Sequence, residues 1–228
     1  MCIRDRPHVD FIFPPAGRPG SNQEYTVYGR HLPGGQNSPY RIGGQVIQQL
    51  KARIAIPGNI TDQLRFPHRL EPHQAGLDGL EYRVNSPAGM SNPILVSAAL
   101  MEPIVESRAN DSPGQSMELK PPCEISGQFY PRRDQDWFRF NAKKGEELWF
   151  TVYSHRLGLP TDPRLLIQRV TTTEAGEEQV SQVAMIDDVT STVRGKEFDH
   201  RTRDPSYRFN APADGLYRVL LTLSLIHI

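Results

Sequence analysis

Short apolar stretches recur throughout the chain with a repeat of two, and each breaks at proline or glycine before reaching helical length. In residues 46–56, Leu50, Ala52, Ile54 and Ile56 fall on one side and Lys51 and Arg53 on the other. That is the repeat of a half-buried strand, whereas a helix would return its apolar residues at three and four. Leu80, Tyr82 and Val84 alternate in the same way, as do Tyr217, Val219 and Leu221. The 20 prolines and 18 glycines supply the interruptions, and no stretch sustains a helical repeat. Many short strands with frequent turn residues predict an all-β fold.

The densest segment is 132–152, RRDQDWFRFNAKKGEELWFTV. Phe138 and Phe140 share one face of a first strand, with Trp137 and Arg139 opposite. Leu148, Phe150 and Val152 share one face of a second, with Trp149, Thr151 and Tyr153 opposite. Gly145 sits at the reversal, where a positive φ is cheap for glycine. The pattern predicts an antiparallel hairpin with its phenylalanines inward and its two tryptophans close together outside. Residues 206–212 and 215–222 predict a second hairpin. Core packing accounts for the aromatic residues but leaves Asp134 and Asp136 without a role.

The strand rhythm divides at residues 101–122, a polar stretch with Pro and Ser and no sustained periodicity. The expected organisation is two β-sandwiches in tandem: an immunoglobulin-like domain at 7–100, a linker at 101–122, and a second, jelly-roll-like domain at 123–222. The two ends, MCIRDR and LSLIHI, resemble the two orientations of one translated sequencing adapter. Residues 1–6 and 223–228 are therefore expected to be scars flanking an internal fragment. Cys2 and His227 then drop out of any site, and Cys123 is left with no partner for an internal disulfide. The 26 basic and 26 acidic residues cancel, which leaves no net field to favour nucleic acid. No apolar run is long enough to span a bilayer.

The order of motifs in the second half resembles the bacterial pre-peptidase C-terminal domain. CEISGQFY leads into DQDWFRFNAKKGEELWF, then Asp187-Asp188, then DPSYRFNAPADGLYRVLL. The resemblance covers about 105–222 and implies a jelly-roll-like sandwich appended to exported bacterial proteins, hence an extracellular, periplasmic or cell-surface location. Residues 8–100 resemble an IPT/TIG-type immunoglobulin-like module through FPPAGRPGSNQEYTVYGRHL and SPAGMSNPILV. Some pre-peptidase domains bind calcium through acids and asparagines just before the sandwich. The resemblance transfers that role to Glu106, Asn110 and Asp111, with Asp134 and Asp136 as partners, although Arg108 stands where a second acid is often found. Calcium takes hard oxygen ligands, so several carboxylates would have to converge. On the residues alone, Asp134 forming a turn and Asp136 accepting backbone N–H bonds is an equally open reading.

Other chemistry finds little footing. His68 and His73 are separated by a proline and do not form a helical metal pair; Asn59 heads a glycosylation sequon without further context. Asp187, Asp188 and the acids of 197–204 are loop acids, and nothing pairs them across a cleft as general acid–base work requires. No nucleophile elbow, phosphate-binding glycine loop or HExxH motif occurs. The expected function is a non-catalytic structural or binding segment of an exported multidomain protein. The alternative is an accessory, substrate-targeting or stabilising region of a secreted hydrolase. Expected partners are polysaccharide or extracellular protein, with Trp149 and Tyr153 as an exposed aromatic platform.

Overall fold

The computed structural model describes residues 6–60, 72–74, 76–107, 109–190 and 201–224. His68, Arg108, Thr61 of the sequon, the acids at 197 and 199, and residues 1–5 and 225–228 lie outside them. The fold is all-β, built of several sheets, none of them closed. The chain divides into two compact units, 1–104 with 124–126 and 105–123 with 127–228.

In the first unit, β1 (His8–Phe13), β2 (Ala16–Gly17), β3 (Asn22–Arg30), β4 (Gln36–Ile42) and β5 (Gln45–Ala55) precede β6 (Gly79–Tyr82), β7 (Asn85–Ser86), β8 (Gly89–Met90) and β9 (Ile94–Ala98). One sheet has the order β1-β3-β5-β4, a second β2-β9-β6, and β7 and β8 form a small ladder. Val9, Ile12, Tyr25, Val27, Ile54 and Ile56 pack with Val96 of β9 in a single core. Gly17 must be glycine because a Cβ there would collide with the Tyr25 hydroxyl. β1 slips register between Val9 and Phe11, and Asn92 makes good the lost pairing. Its Oδ1 accepts from Val9 N at 2.8 Å and its Nδ2 donates to Val9 O at 2.8 Å.

The chain passes from one unit to the other around β10 (Ile104–Val105) and β12 (Ile125–Ser126). The second unit contains β11 (Met117–Glu118), β13 (Gln135–Ala142), β14 (Glu147–Thr151), β15 (Pro163–Thr172), β16 (Glu178–Ile186), β17 (Ser206–Asn210) and β18 (Gly215–Leu223). Residues 105–122, read from the sequence as linker, go with this unit, and β11 pairs in parallel with β13. A two-residue strand is too short to show a periodicity. β18 runs past residue 222, setting Leu223 opposite Pro163.

The pairing differs from the expected hairpins. β13 lies in a five-stranded sheet ordered β11-β13-β18-β15-β16, while β14 pairs with β17. The Lys-Lys-Gly turn therefore carries the chain between sheets, anchored by Gly145 N donating to Ala211 O at 2.9 Å and by Ala211 N donating to Glu146 O at 2.9 Å. Residues 206–222 cross the same way, with β17 against β14 and β18 between β13 and β15. The inward rows explain this arrangement. In one sheet the two aromatic rows would lie side by side; in opposed sheets they face each other. Phe140 thus meets Phe150 at 5.4 Å and Phe209 at 5.7 Å across the sheets, and Tyr217, its neighbour in the same sheet, at 5.5 Å between ring centroids. The tryptophans are consequently on different sheets: Trp137 is 7% exposed and Trp149 69%.

Phe209 is fully buried within this cluster. Phe209→Ala is expected to cost about 3–5 kcal/mol, the usual range for deleting a buried aromatic ring. Trp149→Ala is expected to stay within about 0.5 kcal/mol, as surface changes do. Urea unfolding of both variants checks this; comparable losses would place Trp149 in the core instead.

Candidate metal centre

Asp136 occupies the row of β13 that also carries Phe138, Phe140 and Ala142, and all four are buried. Period two thus directs its carboxylate inward at the end of the aromatic core, leaving it 4% exposed. Asp134 lies two residues earlier, in a turn closed by its N–H donating to Pro131 O at 3.0 Å. Its Oδ2 accepts from Tyr130 N at 2.8 Å and its Oδ1 from Gln135 N at 2.9 Å. The turn-forming role open to Asp134 in the sequence is therefore real. It leaves lone pairs on both oxygens for a further partner.

The segment before the sandwich supplies the other side. Glu106 Oε1 accepts from Gln128 N at 2.6 Å. Gly127 lets the carboxylate in, since a Cβ there would strike the Glu106 side chain. Asn110 is 1% exposed. Its carbonyl accepts from Trp137 N at 2.9 Å and its Nδ2 donates to Asp136 Oδ1 at 3.4 Å. Its Oδ1, also buried, has no hydrogen-bond partner. Asp111 stands at the exposed rim.

These side chains surround a cavity of about 20 Å³ lined by Glu106, Asn110, Asp111, Asp134 and Asp136, together with Gln128 and Tyr130. All five residues assigned to calcium by resemblance are thereby brought together. Gln128 and Tyr130 had no signal in the sequence, since the bonds they give here come from backbone N–H groups. The volume admits one small occupant of the order of a water molecule. Among the described residues, no basic side chain lines it. Burial pushes the Asp136 carboxyl up to about 8, and the charges of Glu106 and Asp134 push the same way. Burial also raises Asp134, with Asp111 adding to it, against the lowering by its two N–H donors.

The donor set fits a hard divalent cation. Calcium takes about six to eight oxygens, which carboxylates, an amide oxygen, carbonyls and water can supply. Here four carboxylates and the unpartnered Asn110 Oδ1 point to one small volume. A cation would neutralise the like charges and occupy the orphaned acceptor together. Glu106, Asn110, Asp134 and Asp136 would hold it, with Asp111 at the rim.

Two other acidic positions named from the sequence have partners of their own. Asp162, Asp187 and Asp188 bring ligand atoms within 4.8 Å of one another, but Arg164 already bonds Asp187 at 3.0 Å and supplies positive charge. Asp204 is fully buried and accepts from the backbone N–H groups of Ser154, His155 and Arg156 at 3.0, 2.7 and 2.9 Å. Its fourth partner is Arg156 Nε at 3.1 Å. It is a structural cap whose partners lie some 50 residues earlier, so the sequence alone showed only a loop acid. His73 sits in a short 3-10 turn, Pro72–Gln74. Of the expected aromatic platform, Trp149 is exposed, whereas Tyr153 carries the Arg156 guanidinium 4.2 Å above its ring. No protein-family model matches the chain, and no curated protein matches it.

The raised Asp136 carboxyl fixes a pH dependence. A group whose folded value lies above its unfolded one stabilises the fold below the unfolded value, and that contribution is lost as pH rises through the folded value. For Asp136 the loss falls between 3.8 and about 8. In chelator, the melting temperature of the wild type should fall from pH 5 to pH 9 more steeply than that of Asp136→Asn. At pH 9 the variant should melt higher by about 4 °C or more, equivalent to roughly 1 kcal/mol. Parallel pH profiles would show that Asp136 carries no such burden.

Proposed function

We propose that this chain is a non-catalytic binding and structural segment of an exported protein, and that its second unit is clamped by a calcium ion. One observation carries the reading: Glu106, Asn110, Asp134 and Asp136 line one small cavity with no basic side chain among the described residues, and the buried Asn110 Oδ1 has no partner. Such a cluster is costly without a cation, because like charges and an unsatisfied acceptor are held away from water. With one, the segment 106–111 is tied to the start of β13. The ion then acts on stability rather than on a substrate.

Among the described residues, Asp187 is engaged by Arg164 and Asp204 by backbone donors. On this reading the purified chain is expected to turn over no peptide, ester or glycoside.

Calcium that binds only the folded state stabilises it by about 2.7 kcal/mol when present at a hundredfold over its Kd. Thermal melts of the full chain in millimolar calcium and in chelator should therefore separate by several degrees. Asp134→Ala combined with Asp136→Ala should abolish the separation. Superimposable wild-type curves would remove the calcium site.

A further inference from the structure

The ladder of β14 and β17 has an outward face of its own, and its chemistry differs from that of the metal centre. Across it Glu147 stands opposite Asn210, Trp149 opposite Arg208 and Thr151 opposite Ser206. Trp149 is the most exposed aromatic side chain among the described residues, at 69%. Leaving so large an apolar ring in water forgoes roughly 1.5–3 kcal/mol that burial would return. The polar residues beside it are tied to one another. Arg208 Nη2 donates to both Glu147 oxygens, at 2.9 and 2.8 Å, and Asn210 Nδ2 reaches Glu147 at 3.4 Å. Thr151 and Ser206 hydroxyls lie 3.4 Å apart.

We propose that this face, with Trp149 at its centre, binds a neutral polysaccharide chain. The inference rests on the reading of the chain as a binding module, but not on the calcium ion. A pyranose has an apolar C–H face and a rim of hydroxyls. It therefore needs a flat aromatic ring flanked by donors and acceptors held in place, which is what Trp149, Arg208, Glu147 and Asn210 provide. A protein hot spot would need apolar neighbours to exclude water around the tryptophan, and here the neighbours are polar. The Arg208–Glu147 pair is neutral as a unit, so the face makes no demand for an acidic or basic ligand. Five residues of strand span roughly 17 Å at about 3.4 Å each, which suits a chain rather than a single sugar. Tyr153 lies nearby with the Arg156 guanidinium over one face of its ring.

The chain has two tryptophans and Trp137 is buried, so a ligand-dependent change in emission reports Trp149. The full-length chain is run in affinity gels containing hydroxyethylcellulose, laminarin or soluble starch, with alginate as the acidic comparison and gelatin as the protein comparison. Emission is then titrated with the retarding polymer. The expected result is retardation by a neutral polysaccharide, with affinity lost about tenfold or more in Trp149→Ala, a change of about 1.4 kcal/mol. Arg208→Ala and Asn210→Ala should weaken binding and Trp149→Tyr should retain part of it; thermal melts check that each variant folds. No retardation by any neutral polymer, equal binding by folded Trp149→Ala, or Trp149-dependent binding to alginate or gelatin alone would overturn the proposal. Each gel is run in calcium and in chelator. Failure of the calcium reading appears in the melts and leaves the gel result standing on its own.

Discussion

The second unit is organised around one contact, the meeting of Phe140 with Phe150, Phe209 and Tyr217 between its two sheets. Ring centroids 5.1–5.9 Å apart, mostly tilted or edge-on, are the geometry that aromatic quadrupoles favour. Phe140 and Tyr217 come from β13 and β18 of the large sheet; Phe150 and Phe209 come from β14 and β17 of the small one. For all four to meet, each pair of consecutive strands must cross from one sheet to the other. The turns at 143–146 and 211–214 are therefore corners rather than hairpins, and the exposure of Trp149 follows from the same crossing.

The acidic cluster depends on this row as well. Asp136 shares the inward face of β13 with Phe138 and Phe140, so the packing that buries the rings also buries a carboxylate at the end of the strand. A core that ended in Leu at this position would gain apolar burial without meeting like charges. An acid kept there, against Glu106 and Asp134, opposes the stability of the cation-free fold. That opposition distinguishes the cluster from the Asp162–Asp187–Asp188 group, where Arg164 is paired with Asp187. Among the described residues, no arginine lines the first cluster.

How much of this was legible in the sequence differs by level. Alternation assigned the inward face, since Phe138, Phe140, Phe209, Tyr217 and Val219 are all buried, but Trp137 and Arg218 on the opposite faces are buried as well. It could not assign partners, because a period of two states which side a residue faces and nothing about which strand lies alongside. The five acids and amides of the cluster were legible through a resemblance in motif order, and the burial of Asp136 was implicit in its spacing from Phe138. Gln128, Tyr130 and Asp204 were not legible. The first two give backbone N–H groups, which every residue but proline carries, and Asp204 caps a turn distant in the chain.

Asp204 also links the buried structure to the exposed face. By accepting the N–H groups of Ser154, His155 and Arg156 it holds the turn after β14 against the start of β17. Val152 N donates to Pro205 O at 3.1 Å in the same corner, and Arg156 reaches back to Val152 O at 2.6 Å. These bonds fix where β17 begins, and so fix its register on β14. A slip of one residue would turn Arg208 inward and Phe209 out. The position of Arg208 beside Trp149 is thus set by a carboxylate that touches neither. The same corner brings Arg156 over Tyr153, while Trp149 is the more exposed of the two rings.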